Sequence, residues 1–576
     1  MRPALRPQGG STAPTHRPSE RGGHASRALP GPGGLLLRCS LSRALRRWSR
    51  WKGRLLVSRR ADRHAARREQ RRRSPLEGLP FRLLRNPRPP VEMLSEEEVE
   101  RLHEASMRIL EEIGIDFLDD EALDIWEAAG ARVDHSSRHV WMDRDLVLEA
   151  VAKAPAEFTL RARNPERDVR IGGNHIVFAP CGGTAFVSDF DKGRRPGTLA
   201  AYQNIVRLVS MCSPVHITGG QIVEPQDLPV PVRHLEREYA QFVLSDKAIM
   251  SAAHGRVVAT DCINMAAIVF GGHEEVRRQP VLASVVNANS PLRYDTGMLG
   301  GLITYARAGQ PLVVTPFILA GAMSPITMAA AVAQQNAEAL AGIALTQLVN
   351  PGVPVIYGGF TTNIDMATGS PAFGTPEGAW ALFVGAQLAR RYRLPYRGSG
   401  GLNTSKVPDA QAAYETQMCL WPVVLSHTNF VMHAAGWLEA GLVCSFEKFI
   451  LDVEGLAMMH RLFEPVEISD ATLAFNSIAE VGPGGHHFGT AHTLARFQTE
   501  FYRPIISDRQ NIGAWQEQRE LDAAQRAYRV WKELLEHYEP PPIDLGVEEA
   551  LRDYVDRRKH ELLDAWSIGH GVAGGT

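Results

Sequence analysis

Short apolar stretches alternate with longer polar-and-apolar stretches through most of the chain. The short stretches are often rich in β-branched residues, they end in Gly, Asn, Ala, Pro or Phe, and they begin every 31 to 43 residues. They are Ile176–Pro180, Val215–Gly219, Ala248–Ala253, Val281–Asn287, Leu312–Phe317, Val355–Phe360, Tyr396–Gly400 and Phe430–Ala435. Apolar strands without strict alternation are typical of a parallel sheet that is buried on both faces.

The longer stretches between them have the periodicity and the start signals of helices. Thr327–Val349 is Ala-rich and follows Ser324-Pro325, Pro376–Tyr392 begins with proline where a helix accepts it, and Asp409–Leu425 is a third predicted helix. Eight strand–helix units predict an α/β fold, favoured as a (β/α)8 TIM-type barrel over residues 171–465. An open doubly wound sheet is the alternative.

The regions on either side of these units have different patterns. Ser95 and Glu98 form a capping box, and residues 91–170 predict an N-terminal α+β cap region. Residues 466–576 predict a C-terminal region that packs on the barrel, with helical additions at about Ala514–His537 and Val547–Ala565.

Residues 1–90 are an Arg-rich extension with little apolar content. Residues 1–80 hold 20 Lys and Arg against 4 Asp and Glu, although the 576-residue chain has a net charge of −1. Low hydrophobicity with high like charge predicts disorder, either as a solvated tail or as an arm that binds nucleic acid.

The remaining composition favours a cytoplasmic protein. The six cysteines are scattered, which is typical of free thiols in a reducing compartment. No run of eighteen apolar residues predicts a membrane helix, and Gly34–Leu37 is too short for the core of a secretory signal.

Five segments resemble the trimethylamine:corrinoid methyltransferase family, in order along about residues 90–565. They are Leu94–Ile115, Thr361–Met366, Lys406–Gln411, Ala435–Leu442 and Val481–His487. The resemblance implies a (β/α)8 barrel that passes a methyl group from a methylated amine to the cobalt of a separate small corrinoid-binding protein. A homo-oligomer is left open.

One position departs from the founding trimethylamine enzymes, which carry pyrrolysine shortly before the Lys406-Val-Pro-Asp409 segment. The matching position here is Leu402, an ordinary leucine with no electrophile. The resemblance therefore points to the branch without pyrrolysine, whose substrates are quaternary amines such as glycine betaine.

A quaternary ammonium has no N–H donors, and aromatic faces bind it best. Four aromatic residues at or just after predicted strand ends are candidates for such a cage: Phe178, Tyr357, Phe360 and Trp437. Each of them is also explained by packing within the barrel.

A betaine also presents a carboxylate, which needs charged or polar donors. Arg397 and His433, near the ends of the last two predicted strands, are the first candidates, with His254 behind them and Asn363 to orient the groups. A barrel histidine with ordinary hydrogen bonds is the alternative for His433.

Metal chemistry has weak support in the sequence. His486, His487 and His492 lack the H-E-x-x-H spacing and a cysteine partner, so no bound metal is expected. A zinc-dependent or other barrel methyltransferase remains an alternative function. A non-catalytic binding protein with a nucleic-acid-binding arm is another.

Overall fold

The computed structural model describes the backbone of residues 79–571 and the side chains of residues 79–567. Most of the predicted disordered extension, residues 1–78, therefore lies outside the described residues. Within them, the structure confirms an α/β fold of mixed sheets and helices.

Seven parallel strands of the central sheet match predicted strands, and six of them, from Ile249–Met250 to Phe430–Met432, pair with one another in chain order. They are His175–Phe178, Ile249–Met250, Leu282–Ala288, Leu312–Ala320, Val355–Gly358, Tyr396–Ser399 and Phe430–Met432. The last strand pairs in parallel with the first, Phe430 opposite Val177. Seven of the eight predicted strands are thus present, with starts within one residue of the prediction and ends that differ from it by one to three residues.

The predicted strand Val215–Gly219 is only a single bridge, between Ile217 and Ala248. It still lies between the first and the next parallel strand. The His216 N–H donates to Phe178 O at 2.8 Å, and the Thr218 N–H donates to Ala248 O at 3.0 Å.

The central sheet is apolar on both faces, which explains its lack of strict alternation. Its inner face is one buried cluster that includes Val177, Val313 and Ile356. The hairpin Glu157–Leu160 and Val169–Gly172 joins this cluster at the amino ends of the strands. The opposite edge, where the carboxyl ends lie, is called the carboxyl edge below.

Helices cover the outer face. They are Leu199–Met211, Arg233–Leu244, Arg256–Phe270, His273–Arg278, Thr296–Arg307, Met328–Val349, Pro376–Arg391, Ala410–Leu425 and Phe446–Leu462. Side-chain caps begin several of them, with Thr375 bonding Gly378 N and Asp409 bonding Ala412 N. The predicted helices agree with these bounds to within one residue.

The N-terminal region begins with the predicted capping box at Ser95. Its helices are Glu96–Arg108, a π-helical turn Ile109–Ile113, Asp120–Ala128 and Arg144–Val151. The strands Ile115–Phe117, Arg132–Asp134 and His139–Trp141 pair with Arg293–Tyr294 in a second sheet. Ser106 Oγ donates to Ala333 O at 2.8 Å, which fixes this region to the Met328–Val349 helix.

A third sheet and the C-terminal helices complete the chain. The sheet consists of Phe186–Asp189, Gly193–Pro196, Trp437–Leu438 and Val443–Ser445. The helices are Asp470–Leu473, Phe475–Val481, Ala491–Arg496, Ile512–Glu517, Ala523–Glu536 and Leu545–Gly571.

The prediction of one helix over Ala514–His537 is wrong. The chain leaves the helix after Glu517 and starts a new one at Ala523, because Asp522 and Gln525 form a capping box there. The second helix packs on Phe446–Leu462, where Trp531 Nε1 donates to Glu447 Oε1 at 3.0 Å. Within the described part of the chain, no helix has the length and apolar content needed to cross a membrane.

Candidate functional site

Two loops at the carboxyl edge are locked together after the strands Tyr396–Ser399 and Phe430–Met432. Asn403 Nδ2 donates to Trp437 O at 2.6 Å, and Trp437 Nε1 donates to Asn403 O at 3.2 Å. The loops approach so closely at Gly401 that an added Cβ would lie 2.4 Å from His433 O. This contact requires glycine and fixes the position of His433.

Arg397 is a buried cation on one of these strands. Its side chain is 1% exposed, and its only described hydrogen bond runs from Nη1 to Gly359 O at 3.2 Å. Its buried Nε has no hydrogen-bond partner, and no carboxylate among the described residues forms an ion pair with it. Burial lowers the pKa of Arg397 to about 10, so the guanidinium remains charged at neutral pH.

His433 follows the next strand in a left-handed conformation, with φ of 57°. Its Nδ1 lies 3.0 Å from Ser399 Oγ, and no described residue bonds its Nε2. Burial and the nearby Arg397 cation hold the pKa of His433 well below its ordinary value. The imidazole is therefore neutral, with one ring nitrogen available to a ligand.

Aromatic rings surround these two side chains. The Phe360 ring centroid lies 5.3 Å from that of His433 and 5.0 Å from Arg397 Cζ, and the Trp437 ring lies 4.5 Å from His433. Two further rings complete the group. Phe317 lies 4.9 Å from Phe360, and Phe373 lies 5.7 Å from Trp437.

These six side chains, Phe317, Phe360, Phe373, Arg397, His433 and Trp437, are called the carboxyl-edge cluster. The sequence analysis missed Phe317 and Phe373. The first had a signal, since Val313, Thr315 and Phe317 alternate onto one face of their strand. Phe373 follows a loop hairpin, and no local pattern predicts its position.

The structure does not bring two predicted aromatic residues into this cluster. Tyr357 belongs to the outer apolar cluster, where its hydroxyl donates to Asn336 Oδ1 at 3.0 Å. Phe178 also belongs to an outer cluster and stacks on His216 at 5.7 Å.

The remaining predicted residues, His254 and Asn363, are not members of the cluster. His254 is exposed and follows the short Ile249–Met250 strand. Asn363 lies on the Phe360–Ile364 strand, where its Oδ1 accepts from Thr375 Oγ1 at 3.1 Å. Its amide oxygen is thus occupied within its own loop.

Leu402 is buried next to the cluster. It lines a cavity of about 20 Å³ together with Phe360 and Ser399, and it offers only apolar contact there. Among the described residues, no group of three or more His, Cys, Asp or Glu side chains is arranged to hold a metal ion.

Known proteins match the chain over most of its length. The sequence profile of the trimethylamine methyltransferase (MTTB) family matches residues 58–563, and the chain belongs to this family. This confirms both the predicted family and the predicted methyltransferase class.

Individual relatives share this class. The chain is 42% identical over 474 residues to a glycine betaine methyltransferase of Desulfitobacterium hafniense (strain Y51), covering 82% of this chain and 98% of the relative. It is 31% identical over 475 residues to the trimethylamine methyltransferase MttB of Desulfitobacterium hafniense (strain DSM 10664 / DCB-2), covering 82% and 95%. A solved structure of the Methanosarcina barkeri monomethylamine methyltransferase (MtmB) aligns with a TM-score of 0.45 and 11% identity, over 78% of this chain and 90% of that chain.

Proposed function

We propose that the protein transfers a methyl group from a quaternary ammonium carboxylate of the glycine betaine type. The acceptor is the Co(I) of a corrinoid that a separate small protein carries. The relative at 42% identity is named for glycine betaine, which supports this donor.

We infer that the eight strand segments form a closed (β/α)8 barrel whose carboxyl edge holds the site. The parallel pairing of Phe430–Met432 with His175–Phe178 supports closure, as do the hydrogen bonds of His216 and Thr218 to both neighbouring strands. In such barrels, catalytic groups lie at the carboxyl ends of the strands.

Arg397 is the observation that carries the proposed substrate. A buried cation without a counter-ion costs several kcal/mol unless a partner neutralises it. A carboxylate bound between Arg397 and His433 supplies that partner and takes up the free Nε–H. Trimethylamine has no carboxylate and leaves Arg397 uncompensated.

The aromatic members of the cluster suit the other end of the same molecule. The faces of Phe317, Phe360, Phe373 and Trp437 attract a trimethylammonium group without offering it a hydrogen bond. Phe373 and Trp437 are almost fully buried, which keeps water from the methyl group.

The chemistry asks little of the protein beyond holding and orienting the donor. A cobalt electron pair forms the new Co–C bond while the C–N bond breaks and its electron pair stays on nitrogen. The products are a methyl–Co(III) corrinoid and dimethylglycine, and no proton has to move. The cluster therefore contributes by positioning one methyl group toward the carboxyl edge.

The experiment measures methylcobalamin formation from cob(I)alamin with three donors at equal concentration. Glycine betaine should react fastest. Choline, which keeps the quaternary nitrogen but lacks the carboxylate, should react about 100-fold more slowly because it leaves Arg397 unpaired. Trimethylamine should react least, because Leu402 offers no electrophile.

Robust trimethylamine turnover without any quaternary-amine turnover would contradict the proposal. Equal rates with glycine betaine and choline would contradict the proposed binding of the substrate carboxylate by Arg397. Metal analysis of the purified protein separates the zinc-dependent alternative, since the proposed transfer requires no zinc.

A further inference from the structure

The helix Phe446–Leu462 carries a buried ion pair between two side chains one turn apart. Lys448 Nζ pairs with Asp452 Oδ1, and the two side chains are 2% and 4% exposed. Each of them also bonds a group outside its own helix. Lys448 Nζ donates to Thr416 Oγ1 at 2.9 Å, and Asp452 Oδ2 accepts from the Gly436 N–H at 2.8 Å.

These partners lead to the two loops that are locked together at the carboxyl edge. Thr416 Oγ1 donates to Gly401 O at 3.3 Å, and the Gly401 N–H donates to His433 O at 2.7 Å. Gly436 immediately precedes Trp437, whose ring lies 4.5 Å from that of His433. The ion pair is thus linked to both loops, directly at Gly436 and through Thr416 at Gly401.

Stability alone gives little reason for charges at these two positions. The attraction within a buried ion pair often only offsets the desolvation of its charges, and apolar residues of similar volume are often as stable in the same place. Apolar residues cannot supply an acceptor for the Gly436 N–H or a donor for Thr416. The directed bonds to the two loops are therefore what this pair provides.

The backbone at Gly436 needs such a bond to keep one orientation. Its φ is 94°, in the region that favours glycine, and glycine resists a change of backbone conformation less than other residues do. Transfer by in-line displacement requires a precisely aligned donor, and about 1 Å of misplacement can slow it about 100-fold. Side chains that hold a donor keep this alignment when hydrogen bonds behind them fix their positions.

We propose that Lys448 and Asp452 are positioning residues for methyl transfer, a step that rests on the proposed function. Neither side chain belongs to the carboxyl-edge cluster. Asp452 fixes the backbone that carries Trp437 by binding Gly436. Lys448 orients Asp452 and, through Thr416, holds the neighbouring loop at Gly401. The pair therefore sets the direction in which the cluster presents the methyl group.

The test replaces both charges at once, so that neither is left unpaired. The apolar variant, Lys448→Met/Asp452→Leu, removes the acceptor of the Gly436 N–H. Its rate constant for methyl transfer at saturating glycine betaine should fall about 100-fold. The dissociation constant should rise less than about tenfold, because contacts to the bound donor tolerate a shift that in-line alignment does not. Single turnovers with cob(I)alamin and titration calorimetry measure the two quantities.

A second variant tests whether the bond to Gly436 carries the effect. The amide variant, Lys448→Met/Asp452→Asn, has no charge at either position but keeps a side-chain oxygen for the Gly436 N–H. Its rate constant should return to within about fivefold of the wild type. An amide variant as slow as the apolar variant would overturn the proposal, and so would an apolar variant with the wild-type rate constant.

Glu454→Gln is the matched control on the same helix. Glu454 is also a buried acid, and its Oε2 accepts from the backbone N–H groups of Ile505 and Ile506 in the C-terminal region. Its variant weakens comparable bonds and should keep the wild-type rate constant. An equal loss of rate would mean that any disturbance of this helix slows the reaction, which would also overturn the proposal.

Hydrogen exchange of the Gly436 amide measures the bond without methyl transfer. The amide should be protected in the wild type and in the amide variant, and should lose about 100-fold of its protection in the apolar variant. Free exchange in the wild type overturns the proposal, as does an apolar variant that fails to fold, since the pair would then serve the fold itself. If glycine betaine is not the donor, the proposed function fails, and the rate constants are compared with the methylated amine that the wild type does use.

Discussion

Arg397 lies on the strand Tyr396–Ser399 and Lys247 lies two residues before the strand Ile249–Met250. Both basic side chains are fully buried, and they differ in what their N–H groups bind. Lys247 Nζ donates to Val209 O at 2.5 Å, to Cys212 O at 2.9 Å and to Val215 O at 2.6 Å, which uses all three of its protons. Arg397 has five N–H groups, and one described bond occupies one of them. The chain itself supplies acceptors for all the N–H groups of Lys247 but not for those of Arg397.

The difference fits the proposal that Lys247 has a structural role and that Arg397 binds the substrate. Burial lowers the pKa of Lys247 to about 7 and that of Arg397 to about 10, so the arginine stays charged at neutral pH. Lys247 joins the backbone where the helix Leu199–Met211 leads into the strand segment 215–218. Arg397 keeps its remaining donors free for a ligand at the carboxyl edge. Substituting each cation with methionine, which preserves length and apolar contact, tests this distinction.

Arg397→Met should produce the largest effect, on substrate binding. Glycine betaine affinity should fall about 1000-fold, or about 4 kcal/mol, because its carboxylate is left buried without a counter-ion. The free energy of unfolding without substrate should stay constant or rise, since an unpaired buried charge is removed. Titration calorimetry and urea unfolding measure the two quantities.

Choline is the control ligand for this variant. Its affinity should change less than threefold, because it lacks the carboxylate that Arg397 is proposed to bind. An equal loss of affinity for both ligands would mean that the substitution has disturbed the whole cluster.

Lys247→Met should show the opposite behaviour. Three buried carbonyl oxygens lose their donor, and the free energy of unfolding should fall by about 3 kcal/mol in urea titrations. The folded fraction should bind glycine betaine with wild-type affinity. A variant with unchanged stability but weakened glycine betaine binding would mean that Lys247, like Arg397, serves substrate binding, and would contradict the structural role proposed for it.

The sequence predicts positions along the strands better than the direction of their side chains. Arg397 and His433 are predicted as neighbours because residues at strand ends lie at one edge of a parallel sheet, and the structure places both beside Phe360. Tyr357 and Phe178 were placed with them because an apolar strand buried on both faces does not show which residues turn inward. The contribution of Phe373 depends on a hairpin in a loop, which periodicity does not describe.

The helix bounds also show where prediction from the sequence ends. Most bounds are predicted within one residue because start signals such as the Ser95–Glu98 capping box and Pro376 are local. The break before Ala523 was missed, although the Asp522 and Gln525 capping box lies in the sequence, because apolar periodicity continues across it.

Glu238 is a buried acid whose hydrogen-bond partners, Ser251 and Gln241, are neutral, in contrast to the two buried basic side chains. Ser251 Oγ donates to its Oε1 at 2.8 Å and Gln241 Nε2 to its Oε2 at 3.2 Å, and burial raises its pKa to about 8. A folded pKa above the unfolded value means that the folded state holds an extra proton between about pH 4.5 and 8. The stability from this group is complete below that window and lost as the pH rises through it.

Glu238→Gln should remove this pH dependence. The free energy of unfolding of the wild type should fall by about 2 kcal/mol from pH 6 to pH 8 through this group, and the variant should lack that part of the slope. The difference between the two slopes in urea titrations is the measurement. Parallel curves would show that Glu238 titrates near its ordinary pKa despite its burial.

Ser399→Ala should give the smallest effect and sharpen the role of His433. Ser399 Oγ lies 3.0 Å from His433 Nδ1, and a hydroxyl that donates there leaves the proton of the neutral imidazole on Nε2, facing the ligand. Without this bond, the proton of the neutral imidazole is shared between Nδ1 and Nε2. Glycine betaine binding should therefore weaken about fivefold, or by about 1 kcal/mol. Choline affinity and the free energy of unfolding should change little.

The ring nitrogen chemical shifts of His433, measured by NMR, should move from those of a predominantly Nε2–H form toward those of a mixture of tautomers. Weaker betaine binding with an unchanged tautomer would mean that Ser399 acts through packing and does not orient the histidine.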